Sequence, residues 1–194
     1  MKKLERKDLW SLEEYAEKRN DFKSKVIAHK KNRQLAIGPN ATVYFEDKLT
    51  IQYQIQEMLR IERIFEAAAI EEELTTYSPL IPDGSNWKAT LMIEFADEAE
   101  RRVALAKMKN LEDTVWMKVD GHEKIIPFAN EDMQRSNDEK TSAVHFLRFE
   151  LDQDMIASLK NGASLSAGIT HPAYNHVIDV VPAEVKELLL EDLD

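Results

Sequence analysis

The 194-residue chain contains no cysteine. That excludes disulfides, thiolate zinc sites, iron–sulfur clusters held by Cys and any cysteine nucleophile. If the protein takes part in redox chemistry, it supplies no thiol ligand. Glycine is scarce: Gly38, Gly84, Gly121, Gly162 and Gly168 are the full set. They form neither a dinucleotide fingerprint nor a phosphate loop, so no nucleotide cofactor is expected. A Gly-x-Ser-x-Gly elbow is also missing. No apolar run is long enough to span a bilayer, and the first residues, Met-Lys-Lys-Leu-Glu-Arg-Lys-Asp, are charged where a signal peptide would be apolar. The expectation is a cytoplasmic protein with no membrane role.

Excess positive charge is lacking too. Lys and Arg number 26 against 36 Asp and Glu, a formal net charge of −10. Nucleic acid needs a basic surface, so no nucleic-acid partner is expected. The best basic run, His29-Lys30-Lys31-Asn32-Arg33, reads as an exposed helix end. What is present is ordinary for a globular chain, 43% hydrophobic and 32% charged residues. The length suits a single domain over residues 1–194.

Ser11 followed by Glu14 is a capping box and starts a helix, and a second helical stretch is expected over 21–32. Residues 34–37 and 41–46 flank Gly38-Pro39-Asn40 as a hairpin. A long helix follows over about 49–72, then a turn-rich loop over 77–86, a strand over 89–95 and a helix over 97–108. Residues 114–119 and 124–128 flank Asp120-Gly121 as a second hairpin. Ala129–Lys140 is polar and reads as mobile. A strand over 141–151, a helix over 152–160 stopped by Asn161-Gly162, a strand over 163–171 and a helix over 182–190 complete the chain. The hairpins argue against an all-parallel sheet. The expected fold class is α+β, with one mixed, mainly antiparallel sheet and helices packed on it.

Wound as a helix, Leu49, Ile51, Ile55, Met58, Leu59, Ile61 and Phe65 form one apolar stripe. Glu62 falls inside it, and a carboxylate on a core face is costly unless paired. Glu62 is therefore expected to be buried beside an Arg, Lys, His or Tyr. On the far side Gln52, Gln56, Arg60 and Arg63 make a polar row, where long amides and guanidiniums can hold an anion or a partner's backbone.

In the 141–151 strand, alternation places Ala143, His145, Leu147, Phe149 and Leu151 on one face and Val144, Phe146, Arg148 and Glu150 on the other. Both faces are mostly apolar, as in a central strand. Glu62, His145, Arg148 and His171 make a candidate polar cluster. Imidazole and carboxylate suit a divalent metal, held by His145, His171 and Glu62, or a general acid and base. Arg148 serves as a ligand or partner contact. Against this, a lone strand histidine is commonly a satisfied core residue, and Arg148 with Glu62 could be a plain ion pair. The two histidine strands are joined by only 152–162. Parallel neighbours would hold the imidazoles roughly 20 Å apart, whereas antiparallel neighbours would bring His145 opposite His171.

Several blocks taken together resemble a bacterial family known as domain of unknown function 3501. They are Val26–Arg33, Phe45–Phe65, Leu80–Asn86, Asp138–Phe149 and His171-Pro172-Ala173-Tyr174, in order along most of the chain. Genes of that family often stand beside those for a rubrerythrin-like protein and an iron–sulfur oxidoreductase. The resemblance thus implies an accessory role in redox or oxidative-stress metabolism, with those two proteins as partners. It brings no catalytic assignment.

Overall fold

The computed structural model describes residues 4–132, 135 and 140–194. Half of the stretch expected to be mobile, residues 133–134 and 136–139, lies outside the described residues.

One long helix, α1 (Leu12–Lys30), covers both N-terminal helical stretches. Ser11 caps it through a capping box with Glu14, as the sequence indicates. Strands β1 (Gln34–Ala36) and β2 (Ala41–Phe45) form the expected hairpin. Next come α2 (Lys48–Glu62) and α3 (Ala67–Tyr77), then β3 (Asn86–Ile93) and α4 (Glu98–Lys107). The chain continues through β4 (Val115–Val119), β5 (Lys124–Ile125), β6 (Phe128–Ala129), β7 (Val144–Glu150), α5 (Gln153–Lys160), β8 (Leu165–His171), β9 (Tyr174–Ile178) and α6 (Ala183–Leu190).

The fold is α+β. Its strands form two sheets, ordered β1-β2-β3-β7-β6 and β5-β4-β8-β9, and every ladder between them is antiparallel. A parallel contact occurs in the isolated bridge of Gly84 to Leu193. One apolar core is shared by the inner faces of both sheets, with Val43, Phe45, Leu91 and Phe149 from the first and Met117, Leu165 and Ile169 from the second. Along β7 the odd positions are buried and the even ones half-exposed, as the alternation requires.

The helices α1–α3 form a separate layer with smaller cores of their own. Ile51, Ile55 and Leu59 of α2 pack with Ile70 and Leu74 of α3 and with Leu4 and Leu9. Tyr15, Phe22 and Val26 of α1 pack with Trp10, Leu49 and Tyr53. Buried Glu46 anchors this layer to the first sheet. It accepts from Thr50 Oγ1 of α2 at 2.6 Å and from Thr90 Oγ1 of β3 at 2.8 Å.

The long helix expected over 49–72 is two helices. Arg63 adopts the left-handed conformation (φ 56°) with its N–H donating to the Leu59 carbonyl, and this ends α2. Side chains there rarely take that conformation, and Arg carries no breaker signal in sequence.

Candidate functional site

The four residues grouped from sequence lie on three separate elements. Glu62 is solvent-exposed at the end of α2. His145 is on β7 of the first sheet and His171 on β8 of the second, so these strands are not neighbours in either sense. The α5 connection carries the chain from one sheet to the other, which a pattern read along one strand at a time does not show. Among the described residues, no group of three or more His, Asp or Glu could hold a metal ion.

Each of these histidines also has both ring nitrogens occupied by the protein. His145 is fully buried. Its Nε2 lies 2.9 Å from the Ser142 carbonyl, which needs a donor, so Nδ1 is the acceptor for Asn130 Nδ2 at 3.0 Å. Thr141 Oγ1, at 3.0 Å from Nε2, also reaches Glu112 at 3.1 Å. Burial pulls the His145 imidazole below its ordinary pKa, against the opposing Glu112 carboxylate 3.6 Å away. His171 accepts from Ala173 N–H at Nδ1 (3.1 Å) and lies 3.0 Å from the Lys109 carbonyl through Nε2. With no free lone pair, neither ring is positioned to ligate a metal.

Arg148 is paired, but with Glu131 and Glu150 rather than Glu62. Its guanidinium grips Glu131 through two 2.7 Å bonds, donates to Glu150, and lies 4.4 Å over the Phe128 ring. The paired carboxylate on α2 is Glu57. It accepts from Tyr15 Oη at 2.6 Å and from Arg19 through two 2.7 Å bonds. These bonds, the Arg19 one first, hold the Glu57 carboxyl down at about 2.

The polar row divides in two. Gln52 donates to the Asp8 carbonyl at 2.7 Å, and the buried Gln56 accepts from Trp10 N–H at 2.7 Å. The backbone they hold is this chain's own N-terminal segment. Arg60 and Arg63 remain exposed, next to the exposed Ile61 (63%) and Phe65 (70%). The expected apolar stripe thus stops at Leu59. Past that point Arg63 ends the helix, and among the described residues none buries Ile61 or Phe65. A groove of about 270 Å³ opens beside Phe65, lined by Trp10, Leu12, Leu59, Ile64 and Ile70 and by Arg6, Ser11 and Glu13.

The basic run is exposed at Lys31 and Asn32 and half-buried at His29 and Lys30, but its last residue is buried. Arg33 is 2% exposed and donates to the carbonyls of Phe45, Glu46 and Leu188 and to the Asp192 carboxylate. His29 meets Asp47 at 2.5 Å. Arg33 is therefore a clamp between the end of β2 and the segment around α6.

A further cluster went unrecognised in sequence. Tyr174 Oη on β9 donates to the Ile37 carbonyl at 2.8 Å and accepts from the N–H groups of Asn40 and Ala41 at 2.9 and 3.1 Å. It pins the β1–β2 turn of one sheet to the edge of the other. Gly38 (φ 76°) lies so close that a Cβ there would sit 2.6 Å from both the His176 ring and Tyr174 Oη. The visible signal was the Gly38-Pro39-Asn40 turn, but its contact across 130 or so residues of sequence was not legible.

A family model described as protein of unknown function (DUF3501) matches residues 3–193. The chain belongs to that family. A crystal structure from Burkholderia pseudomallei K96243, at 1.90 Å resolution and described as a novel protein of unknown function, is 48% identical. The match covers 100% of both chains with a TM-score of 0.93. Comparison with curated proteins gave no match. No helix among the described residues is long and apolar enough to cross a membrane.

Proposed function

We propose that this DUF3501 protein is an accessory protein that acts by binding a partner through the bend between α2 and α3. The observation that supports it is the solvent-facing pair Ile61 and Phe65, with Phe65 at the edge of a groove of mixed polarity. Arg60, Arg63 and Glu62 surround the pair with exposed charge. An aromatic anchor with arginines at its rim is the composition of an interface hot spot. The left-handed Arg63 adds to this. Backbone strain of that kind persists where the surrounding structure imposes it, and it collects at working surfaces. The partner is a redox protein, either the rubrerythrin-like protein or the iron–sulfur oxidoreductase that the family resemblance suggests, and the site of action is cytoplasmic. In this reading any redox centre belongs to the partner.

The test is chemical crosslinking in the native host with a tagged wild-type chain and an Ile61→Asp/Phe65→Asp variant. Wild type should carry crosslinks from residues 60–66 to one of the two redox proteins, and the variant should lose them. Crosslinks that map elsewhere, or that persist in the variant, would remove this surface from the account.

A further inference from the structure

The two sheets are joined along one side and open along the other. Strands β5 and β6, each at an edge of its own sheet, follow one another with Ile126 and Pro127 between them. The opposite edges are β1 and β9, and among the described residues no ladder pairs them. They meet at one end, where Tyr174 Oη bonds the β1–β2 turn and Gly38 lies against the His176 ring. Beyond that tie a cleft of about 540 Å³ separates them, walled by Gln34, Leu35 and Ala36 of β1 and by Ile178, Val180 and Val185. A volume of that size suits a drug-sized ligand or a few residues of chain.

The β1 edge of this cleft presents backbone groups. The Arg33 carbonyl accepts from Phe45 N–H and Ile37 N–H donates to the Ala41 carbonyl, each at 2.8 Å. Residues 33, 35 and 37 therefore turn their backbone groups toward β2, and Gln34 and Ala36 turn theirs to the open side. Both of these residues are exposed and line the cleft. Among the described residues none of their two N–H and two C=O groups has a ladder partner on that side. A donor and an acceptor on alternate residues of a strand is the pattern that another extended backbone matches. Edges closed to such pairing commonly carry Lys or Pro, and Gln34-Leu35-Ala36 has neither. Because β1 is three residues long, the pairing is short, and the apolar walls supply the rest of the contact. Val180 is 66% exposed and Ile178 half-buried, so apolar surface is available there.

We propose that this cleft receives an extended apolar segment of a partner protein as an added strand, paired to β1 through Gln34 and Ala36 and resting on Ile178 and Val180. Main-chain bonds give such a contact its affinity, and the pockets under alternate side chains give it specificity. A slot bounded by β1 on one side and by β9 and the start of α6 on the other takes one strand rather than the sheet behind a second copy's edge. The surface shares no residue with the α2–α3 bend, so it goes beyond the partner-binding reading and stands or falls separately.

The probe is a library of random nonapeptides displayed on phage and selected on the full chain. Its strongest binder, synthesised with capped ends, is then followed by NMR of the isotope-labelled protein. Shifts should centre on residues 34–36 and 178–185, and the Gln34 and Ala36 amide protons should gain protection from exchange. Ala36→Pro removes an outward N–H and no bond of the β1–β2 ladder, which an edge position tolerates. It should weaken the peptide at least about tenfold with the melting temperature unchanged. Two forms of the peptide, N-methylated on alternate residues, make the same test without altering the protein. The form blocked toward β1 should lose binding and the other should keep it. No enriched peptide, shifts mapping elsewhere, equal binding of the two N-methylated forms, or unchanged affinity in a folded Ala36→Pro would overturn the proposal. So would a dimer in sedimentation that Ala36→Pro dissociates, since the β1 edge would then belong to a second copy.

Discussion

Arg19 of α1 holds Glu57 of α2 in a two-pronged pair, Nε to Oε1 and Nη2 to Oε2 at 2.7 Å each. Tyr15, fully buried on α1, donates a third bond to the same carboxylate. One end of the contact between α1 and α2 is therefore polar, beside the apolar packing of Phe22 and Val26 on Leu49 and Tyr53, and the strength of that end depends on Glu57 staying ionised.

That dependence gives a signed pH profile. Glu57 is held at about 2, below its ordinary 4.5. A depressed carboxyl contributes stability that is present above the unfolded value and lost as pH falls through the folded one. At about 1.36 kcal/mol per pKa unit the contribution is on the order of 3 kcal/mol. Denaturant unfolding of wild type and Glu57→Gln at pH 7, 4 and 2.5 checks this. The gap between them should be largest at pH 7 and shrink below pH 4.5.

Asp192 works in the opposite sense. Burial raises its carboxyl to about 6 despite the Arg33 guanidinium beside it. A raised carboxyl favours the folded state when protonated, so this group removes stability as pH rises from about 4 to 6. Asp192→Asn keeps an acceptor for Arg33 and abolishes the titration. Its stability relative to wild type should improve across that same interval. Arg33→Ala, by contrast, leaves buried carbonyls and Asp192 without their donor and should cost about 3–5 kcal/mol.

The Tyr174 hydroxyl is the tie between the two sheets. Tyr174→Phe leaves the buried Ala41 N–H, the partly buried Asn40 N–H and the Ile37 carbonyl without that partner and should destabilise by about 2–3 kcal/mol, read from the denaturation midpoint. Gly38→Ala should cost at least as much, since a Cβ meets the His176 ring on a left-handed backbone.

Much of the fold was legible where the signal is local. The Ser11 capping box, the Asp97 and Asp152 N-caps and the turns at Gly38 and Gly121 stand where their chemistry requires. The alternation of His145, Leu147 and Phe149 gave the buried face of β7. The site was not legible, because each part of it depends on contacts distant in sequence. Glu62 shares a helical face with Leu59 on paper, but it is the last residue of α2 and faces solvent. The role expected of Glu62 falls to Glu57, which faces α1, an element the α2 pattern does not contain. The division into two sheets follows from long-range pairings, β3 with β7 in one and β4 with β8 in the other, and the sequence of no single element records them. No strand was expected after residue 171, whereas Pro172 and Ala173 make a tight turn from which β9 runs back along β8.

Arg63 provides a separate check on the bend. Arg63→Gly relieves a left-handed backbone and should stabilise by up to about 1 kcal/mol in thermal unfolding. In the partner-binding reading it should also weaken partner binding by removing a rim guanidinium, so that stability and affinity move in opposite directions.

The most direct test of the proposed function is calorimetric titration of the purified chain with the purified rubrerythrin-like protein and iron–sulfur oxidoreductase of the same host, in parallel with Phe65→Asp. Phe65 is 70% exposed, so the variant should fold with a stability within about 0.5 kcal/mol of wild type. Saturable binding of one redox protein by wild type, weakened at least about tenfold in Phe65→Asp, is the result the account predicts. Binding of neither protein, or equal binding by wild type and variant, would contradict it.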